Sequence, residues 1–422
     1  MNFALVLGVL GRLLTVYGLT MFVPLIITLI YQRPDSGMNE IAAFVWSPLI
    51  TVGCGIALRL RFRASVADFG HRESIAVVAI GWIMFSVFGA LPWMLLATGH
   101  EGQPLALSAV DAIFETMSGL TTCGSSILSN IEQYGHGVLF WRAMTHWMGG
   151  MGIVVLVVAI LPGLGVGGYQ LLRAEVPGPS ADKIAPRIVQ TARILWFLYV
   201  LLTVLQIVLL WAPSWFVDSA VVRAPGSRYM TLYEATCHAF ATLATGGFST
   251  RNASLGAYGA WHQYVCILFM FLAGTNFLLH WQLITGRPMH YLRNPEWRLY
   301  TGLIIVATLI VFISLSVNAP PDTATAAAGA TAASTASTGD TAAGARSWYD
   351  SAEPRFRHSL FQVMSIVTCT GFATSDFDQW PDLCRLLLLL LMVTGGCAGS
   401  TAGGLKLIRV MVVLRHLRGI FV

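Results

Sequence analysis

Three apolar stretches of this chain, near residues 108–121, 231–244 and 356–368, are too short to cross a bilayer, and each runs into a turn of small residues. The turns are nearly the same: Thr121-Thr122-Cys123-Gly124, Ala244-Thr245-Gly246-Gly247-Phe248 and Thr368-Cys369-Thr370-Gly371-Phe372. A crossing helix takes about 20 apolar residues, so these segments read as re-entrant half-helices. Irregular backbone at membrane depth leaves carbonyls unpaired at several kcal/mol each, and it survives only where it is buried in protein or lines a water- or ion-filled path. The final glycines recur at intervals of about 120 residues, which marks an internal repeat. Small residues at one such turn would mean no more than close helix packing. Three of them, each after a non-spanning segment, point to ion-coordinating backbone.

Composition sets the class. With 56% hydrophobic and 11% charged residues and a mean hydropathy of +0.69, the chain is far more apolar than a soluble domain, where about a quarter of residues are charged. The expected fold is an all-α polytopic membrane protein. Spans are expected near 3–30, 40–58, 74–98, 138–168, 188–212, 260–285, 298–317 and 383–421, the last interrupted. The unit of span, half-helix, turn and span then repeats three times after an introductory hairpin. The resulting divisions are a hairpin over 1–72 and pore repeats over 73–168, 169–285 and 286–422. The first apolar run, Phe3 to Ile30, lacks a small-residue cleavage pattern after it and reads as a retained helix.

The net charge of +5 and pI near 8.9 do not indicate nucleic acid, because the basic residues fall in small clusters between apolar runs. Arg59, Arg61, Arg63 and Arg72, then Arg173, Lys183, Arg187 and Arg193, then Arg287, Arg293 and Arg298, and finally Lys406, Arg409, Arg415 and Arg418 all lie on one side of this layout. The positive-inside rule makes that side cytoplasmic, so the turns face outside. Other arginines, Arg142, Arg251 and Arg357 among them, are assigned to the opposite side. The seven cysteines form no CxxC pair and imply neither a disulfide framework nor a zinc site. Ala319 to Ala345, almost wholly Ala, Thr, Ser and Gly, reads as an external linker with too little apolar surface to fold.

A partly dehydrated alkali cation needs several oxygen ligands of moderate strength, and rings of backbone carbonyls supply them. Glycine allows the backbone angles this requires, and the C-terminal end of a half-helix adds a partial negative charge. A second unusual segment, Gly395-Gly396-Cys397-Ala398-Gly399-Ser400-Thr401-Ala402-Gly403-Gly404, interrupts the last apolar stretch. Five glycines in ten positions disfavour continuous helix, so the helix breaks here, either as a flexible plug in the ion path or as a small-residue crossing point. Lys406 and Arg409 follow one turn apart, as an electrostatic barrier to cations or as interfacial anchors. Glu115 and Glu234 occupy matching places in the first two half-helices, either to concentrate cations at the mouth or, as the favoured reading, to pair with Arg, while His146, His238 and His280 are single bundle histidines without an assigned role. No HExxH helix, serine elbow or aspartate pair suggests an intramembrane enzyme.

Several runs resemble the TrkH branch of the bacterial Trk/Ktr/HKT potassium transporters. These are Trp147-Met148-Gly149-Gly150-Met151-Gly152-Ile153, Ala159-Ile160-Leu161-Pro162, Gly165-Val166-Gly167-Gly168, Arg173-Ala174-Glu175 and Pro177-Gly178-Pro179, together with Gly246 to Thr250, Phe271 to Phe277 and Gly395 to Lys406. The resemblance implies a chain of the bacterial inner membrane that moves K+ and carries no organic cofactor. It makes Thr121 to Gly124, Ala244 to Gly247 and Thr368 to Gly371 walls of a potassium filter and Gly395 to Gly404 an intramembrane gating loop. It further implies a homodimer and a cytoplasmic, TrkA-like nucleotide-binding regulatory subunit, with the loops near 170–188 and 286–297 as docking surfaces. Members of that family carry four repeats around one pore, whereas this sequence stops at Val422 after the third. The expectation is a truncated product that lacks the fourth wall and gives no selective potassium uptake by itself; the alternative is a subunit whose pore another polypeptide completes.

Overall fold

The computed structural model of the chain describes residues 2–31, 39–62, 71–96, 105–152, 188–224, 226–317 and 351–421. Helix is the dominant secondary structure among them. The introductory hairpin is α1 (Phe3–Thr20) with α2 (Phe22–Ile30), returning through α3 (Asn39–Arg61). Gly11 and Gly55 bring α1 and α3 so close that a Cβ on either would press on the other strand of the hairpin's backbone, the packing by which small residues join helices in lipid.

The first repeat follows as α4 (His71–Gly89), α5 (Leu91–Leu95), the half-helix α6 (Ala109–Leu120) and α7 (His136–Gly150). The second is α8 (Ile188–Trp211), the half-helix α9 (Leu232–Leu243), α10 (Ala260–Ala273) and α11 (Phe277–Ile284). A short α12 (Met289–Arg293) leads into the third: α13 (Pro295–Val317), the half-helix α14 (Ala352–Val367), α15 (Asp382–Val393) and α16 (Leu407–Phe421). Among the described residues five helices are long and apolar enough to cross a membrane, beginning at Phe3, Glu40, Ile75, Ala192 and Pro295. Each half-helix packs against the helix that follows it or the one before it, around a core that includes Trp141, Tyr199, Tyr300, Phe361 and Phe372.

One expected span is broken. The stretch 260–285 is not a single helix: α10 and α11 meet at a bend of 98°. Asn276 caps the new helix, its side chain accepting from Leu278 N at 2.9 Å. The backbone groups released by the break are taken up elsewhere, Gly274 O by Cys397 N at 2.9 Å and Phe277 N by Gly399 O at 3.0 Å. A helix can break in a membrane where protein satisfies its backbone in this way. The expected interruption of the last span is present, between Val393 and Leu407. The continuation of the helix from 153 to 168, the docking loop up to residue 187 and the linker 319–345 lie outside the described residues.

Candidate functional site

The three turns share one backbone. Each half-helix ends on a residue near the right-handed region, Thr121, Ala244 or Thr368, and passes directly into the left-handed region at Thr122 (φ 55°), Thr245 (54°) and Cys369 (56°). Two residues later the glycines sit there again, Gly124 at 78°, Gly247 at 79° and Gly371 at 83°. Side chains rarely adopt such angles, so finding one at three equivalent non-glycine positions marks a conformation that the surroundings impose. The bonding repeats as well. Cys123 N donates to Ser118 O at 2.9 Å, Gly246 N to Ala241 O at 2.9 Å and Thr370 N to Ser365 O at 2.8 Å, the long return bond that closes a helix C-terminus.

That closure spends the turns' N–H groups on the helix ends and leaves their oxygens over. Among the described residues, nothing donates to the carbonyls of Thr122 to Gly124, Thr245 to Gly247 or Cys369 to Gly371. In the second turn, where Ala244 to Gly246 are buried, this departs from the usual pairing of buried carbonyls, and the three runs of unpaired oxygens together offer a set of cation ligands. The hydroxyls of Thr121 and Thr368 point their protons backward, to Met117 O and Met364 O at 2.7 and 2.8 Å.

The turns stand side by side. A Cβ on Gly124 would collide with the Gly246 carbonyl, and one on Gly247 with the Thr370 carbonyl. A Cβ on Gly371 would meet nothing within 4 Å among the described residues. Braces connect neighbours. Arg142 on α7 pairs with Glu115 of α6 at 2.7 Å, donates to Ser249 O at 3.1 Å and lies 3.5 Å over the Phe248 ring. His146 stacks on the same ring, with centroids 3.9 Å apart. Glu115 also accepts from Ser126 Oγ and Ile127 N. Between the second and third turns, Gly256 N donates to Ala373 O at 3.2 Å and Ala373 N to Ser254 Oγ at 3.3 Å. His238 bonds Ser249 Oγ at 2.9 Å.

The glycine-rich loop lies against these turns. Its neck is pinched between Thr394 and Leu405, with Gly395 N donating to Leu405 O at 3.0 Å. Thr401 is its anchor: the hydroxyl donates to Leu243 O and Ala273 O at 2.9 and 3.2 Å, and the carbonyl accepts from Thr245 Oγ1 at 3.0 Å. Gly404 faces Cys369 of the third turn. Glu296, buried at the start of α13, accepts from Ala398 N at 2.7 Å and Ile408 N at 3.2 Å with the same oxygen.

The structure separates several residues that the sequence placed together. Lys406 is buried and donates into the loop, to Ser400 O and Ala402 O, whereas Arg409 is exposed. Glu115 and Glu234 are both ion-paired but not equivalent. Glu115 lies within its half-helix, while Glu234 closes the N-terminus of α9 in a reciprocal cap with Thr231 and pairs with Arg251 at 2.7 Å. Burial opposes the charge of Arg251, yet Glu234 and Tyr258 together hold its proton more tightly than usual. Arg142 is a buried bracing residue, not a loop charge. His238 and His280 are satisfied, the latter by Leu272 O and Tyr291. Sequence reasoning missed Arg142 and Glu296 as working parts, and it placed Thr401 in the glycine-rich loop without its anchoring role. For the first, a charge inside an apolar helix was the available signal.

Comparison with known proteins gives a consistent picture. A family described as "TrkH: Cation transport protein" matches residues 40–419. The Trk system potassium uptake protein TrkH of Halomonas elongata is 36% identical over 99% of this chain and 76% of its own length. Its Escherichia coli counterpart is 35% identical with the same coverage. The crystal structure of the potassium transporter TrkH from Vibrio parahaemolyticus superposes with a TM-score of 0.75 at 29% identity, covering 100% of this chain and 77% of that one.

Proposed function

The chain belongs to the TrkH family of cation transport proteins, and on that basis we propose that it is the potassium-translocating subunit of a Trk-type uptake system in a bacterial inner membrane. It is a membrane transporter, not an enzyme. The observation that carries the finer reading is the set of unpaired carbonyls on three adjoining turns of identical backbone. Such oxygens can replace the hydration shell of K+. The filter is then Thr121 to Gly124, Ala244 to Gly247 and Thr368 to Gly371. The loop Gly395 to Gly404, held against the second and third turns, is the gate, and Lys406 beside it places a positive charge where a cation would leave.

The open side of Gly371 favours a second reading, in which a further wall supplied by another chain completes the pore. Family likeness supports two partners, a second copy of the chain and a TrkA-like cytoplasmic regulatory subunit, with the segment around α12 as a docking surface. Flux of K+ and Na+ through the full chain in proteoliposomes tests these readings. Potassium-selective flux that Gly247→Ala abolishes supports a self-sufficient filter. No selective flux from the chain alone supports the completed-pore reading. Flux that is indifferent to Gly247→Ala overturns the assignment of the filter.

A further inference from the structure

A residue inside the glycine-rich loop and one just beyond it, in α16, are tied to one side chain on α13. Glu296 Oε1 accepts from Ala398 N, inside the loop, at 2.7 Å and from Ile408 N, in the first turn of α16, at 3.2 Å. Most of the loop lies between the two donors, so a single carboxylate ties its interior to the start of α16. Glu296 is buried and heads α13. Hydrogen bonds from N–H groups to a carboxylate are about twice as strong as neutral ones, and no other side chain among the described residues contacts both limbs in this way.

The same segment of chain reaches the helix break on which the loop rests. Three residues before Glu296, α12 ends at Arg293. Tyr291 on α12 bonds His280 Nδ1 at 2.8 Å, and His280 Nε2 faces Leu272 O at 2.9 Å, the last turn of α10 before the break. Asn294 caps the turn that carries Glu296, accepting from Trp297 N at 3.0 Å. A displacement of α12 would therefore act on both supports of the loop.

We infer that Glu296 is the latch of the glycine-rich loop, a positioning residue that holds it shut by clamping Ala398 and Ile408, with α12 as the handle that releases it. The inference rests on reading 395–404 as the gate, but its test does not need flux. Cys397, beside the clamped Ala398, is buried, as are Cys237, Cys266 and Cys384. The full chain in inside-out vesicles is treated with N-ethylmaleimide, and modification of each cysteine is followed by peptide mass spectrometry in the wild type, Glu296→Gln and Glu296→Ala. Gln keeps an acceptor and loses the charge, so Cys397 should react about tenfold faster, and Ala, which removes the acceptor, should raise it about a hundredfold, at 1.4 kcal/mol for each factor of ten. The buried cysteines elsewhere should not change. Cys397 reacting no faster in either variant overturns the latch. A parallel rise at Cys237, Cys266 and Cys384 also overturns it, because Glu296 would then support the fold at large. Selective exposure of Cys397 with unchanged K+ flux upholds the latch and counts against the gate reading alone.

Discussion

Replacing Arg142 by Met tests whether the walls of the site depend on their braces. The guanidinium is 4% exposed and its partner Glu115 is fully buried. The substitution removes a charged hydrogen bond to Glu115 at 2.7 Å and another to Ser249 O at 3.1 Å, each worth about 1.5–3 kcal/mol. It also removes a cation–π contact to Phe248 at 3.5 Å, worth about 2 kcal/mol when desolvated. Methionine recovers roughly 1.5–3 kcal/mol by burying its own surface. The net loss is about 3–5 kcal/mol, the range found when one partner of a buried pair is removed. Glu115 would keep only Ser126 and Ile127 as donors. The measurement is equilibrium unfolding in detergent of the wild type, Arg142→Met, Glu115→Gln and the double variant, with the K+/Na+ flux ratio of each. Neutralising both partners should recover about 2 kcal/mol relative to the sum of the single losses, and selectivity should fall in Arg142→Met. A loss below about 1 kcal/mol, or single effects that add within about 0.5 kcal/mol, would refute the brace.

Three further outcomes follow from the same geometry. Gly371→Ala carries only the left-handed backbone penalty of about 1–2 kcal/mol because its surroundings are open among the described residues, whereas Gly247→Ala adds a collision with the Thr370 carbonyl and should lose about 3–5 kcal/mol in the same unfolding assay. Thr401→Val keeps the shape of the loop anchor but deletes its hydroxyl; hydrogen exchange over 395–404 should speed up by an amount equivalent to about 1–2 kcal/mol, with α1 and α3 unchanged. Asp382→Asn breaks a pair with Arg385 whose side chains are 90% and 49% exposed, and stability should stay within about 0.5 kcal/mol of the wild type.

What was legible in the sequence was whatever repeats or runs long. The spans follow from uninterrupted apolar stretches, and the turns from three recurrences of one small-residue pattern. The break at Gly274 to Asn276 was not legible. Glycine, threonine and asparagine are tolerated inside membrane helices, and the groups that satisfy this break come from Cys397 and Gly399, far along the chain. The two half-helix glutamates were matched because each is an acid near a turn, but register counted back from the glycine decides equivalence. Nine residues before Gly247 stands His238, which occupies the place of Glu115 and reaches Ser249 instead of an arginine. Glu296 looks like an ordinary acid in the first turn of a helix, and only the folded chain shows it facing a loop 102 residues away.

The loop's partners decide which wall feels it move. Covalently it follows the third half-helix, and Glu296 of the third repeat holds Ala398 N, but its other hydrogen bonds to neighbouring elements run to the second repeat, to Leu243 O, Thr245 Oγ1, Ala273 O, Gly274 O and Phe277 N. Its contact with the third turn is packing, Gly403 and Gly404 against Cys369. Thr245 is also one of the three non-glycine turn residues held in the left-handed region, and its hydroxyl divides between its own neighbour's carbonyl and Thr401 O. Withdrawing the loop therefore removes an external acceptor from a residue whose backbone is already constrained, while the first turn, braced through Arg142, keeps every bond it has. The second turn sits between the other two and is the most buried of the three, so a change there reaches both neighbours. Loop and turns are in this sense one polar assembly, joined where Thr401 meets Thr245 and Leu243.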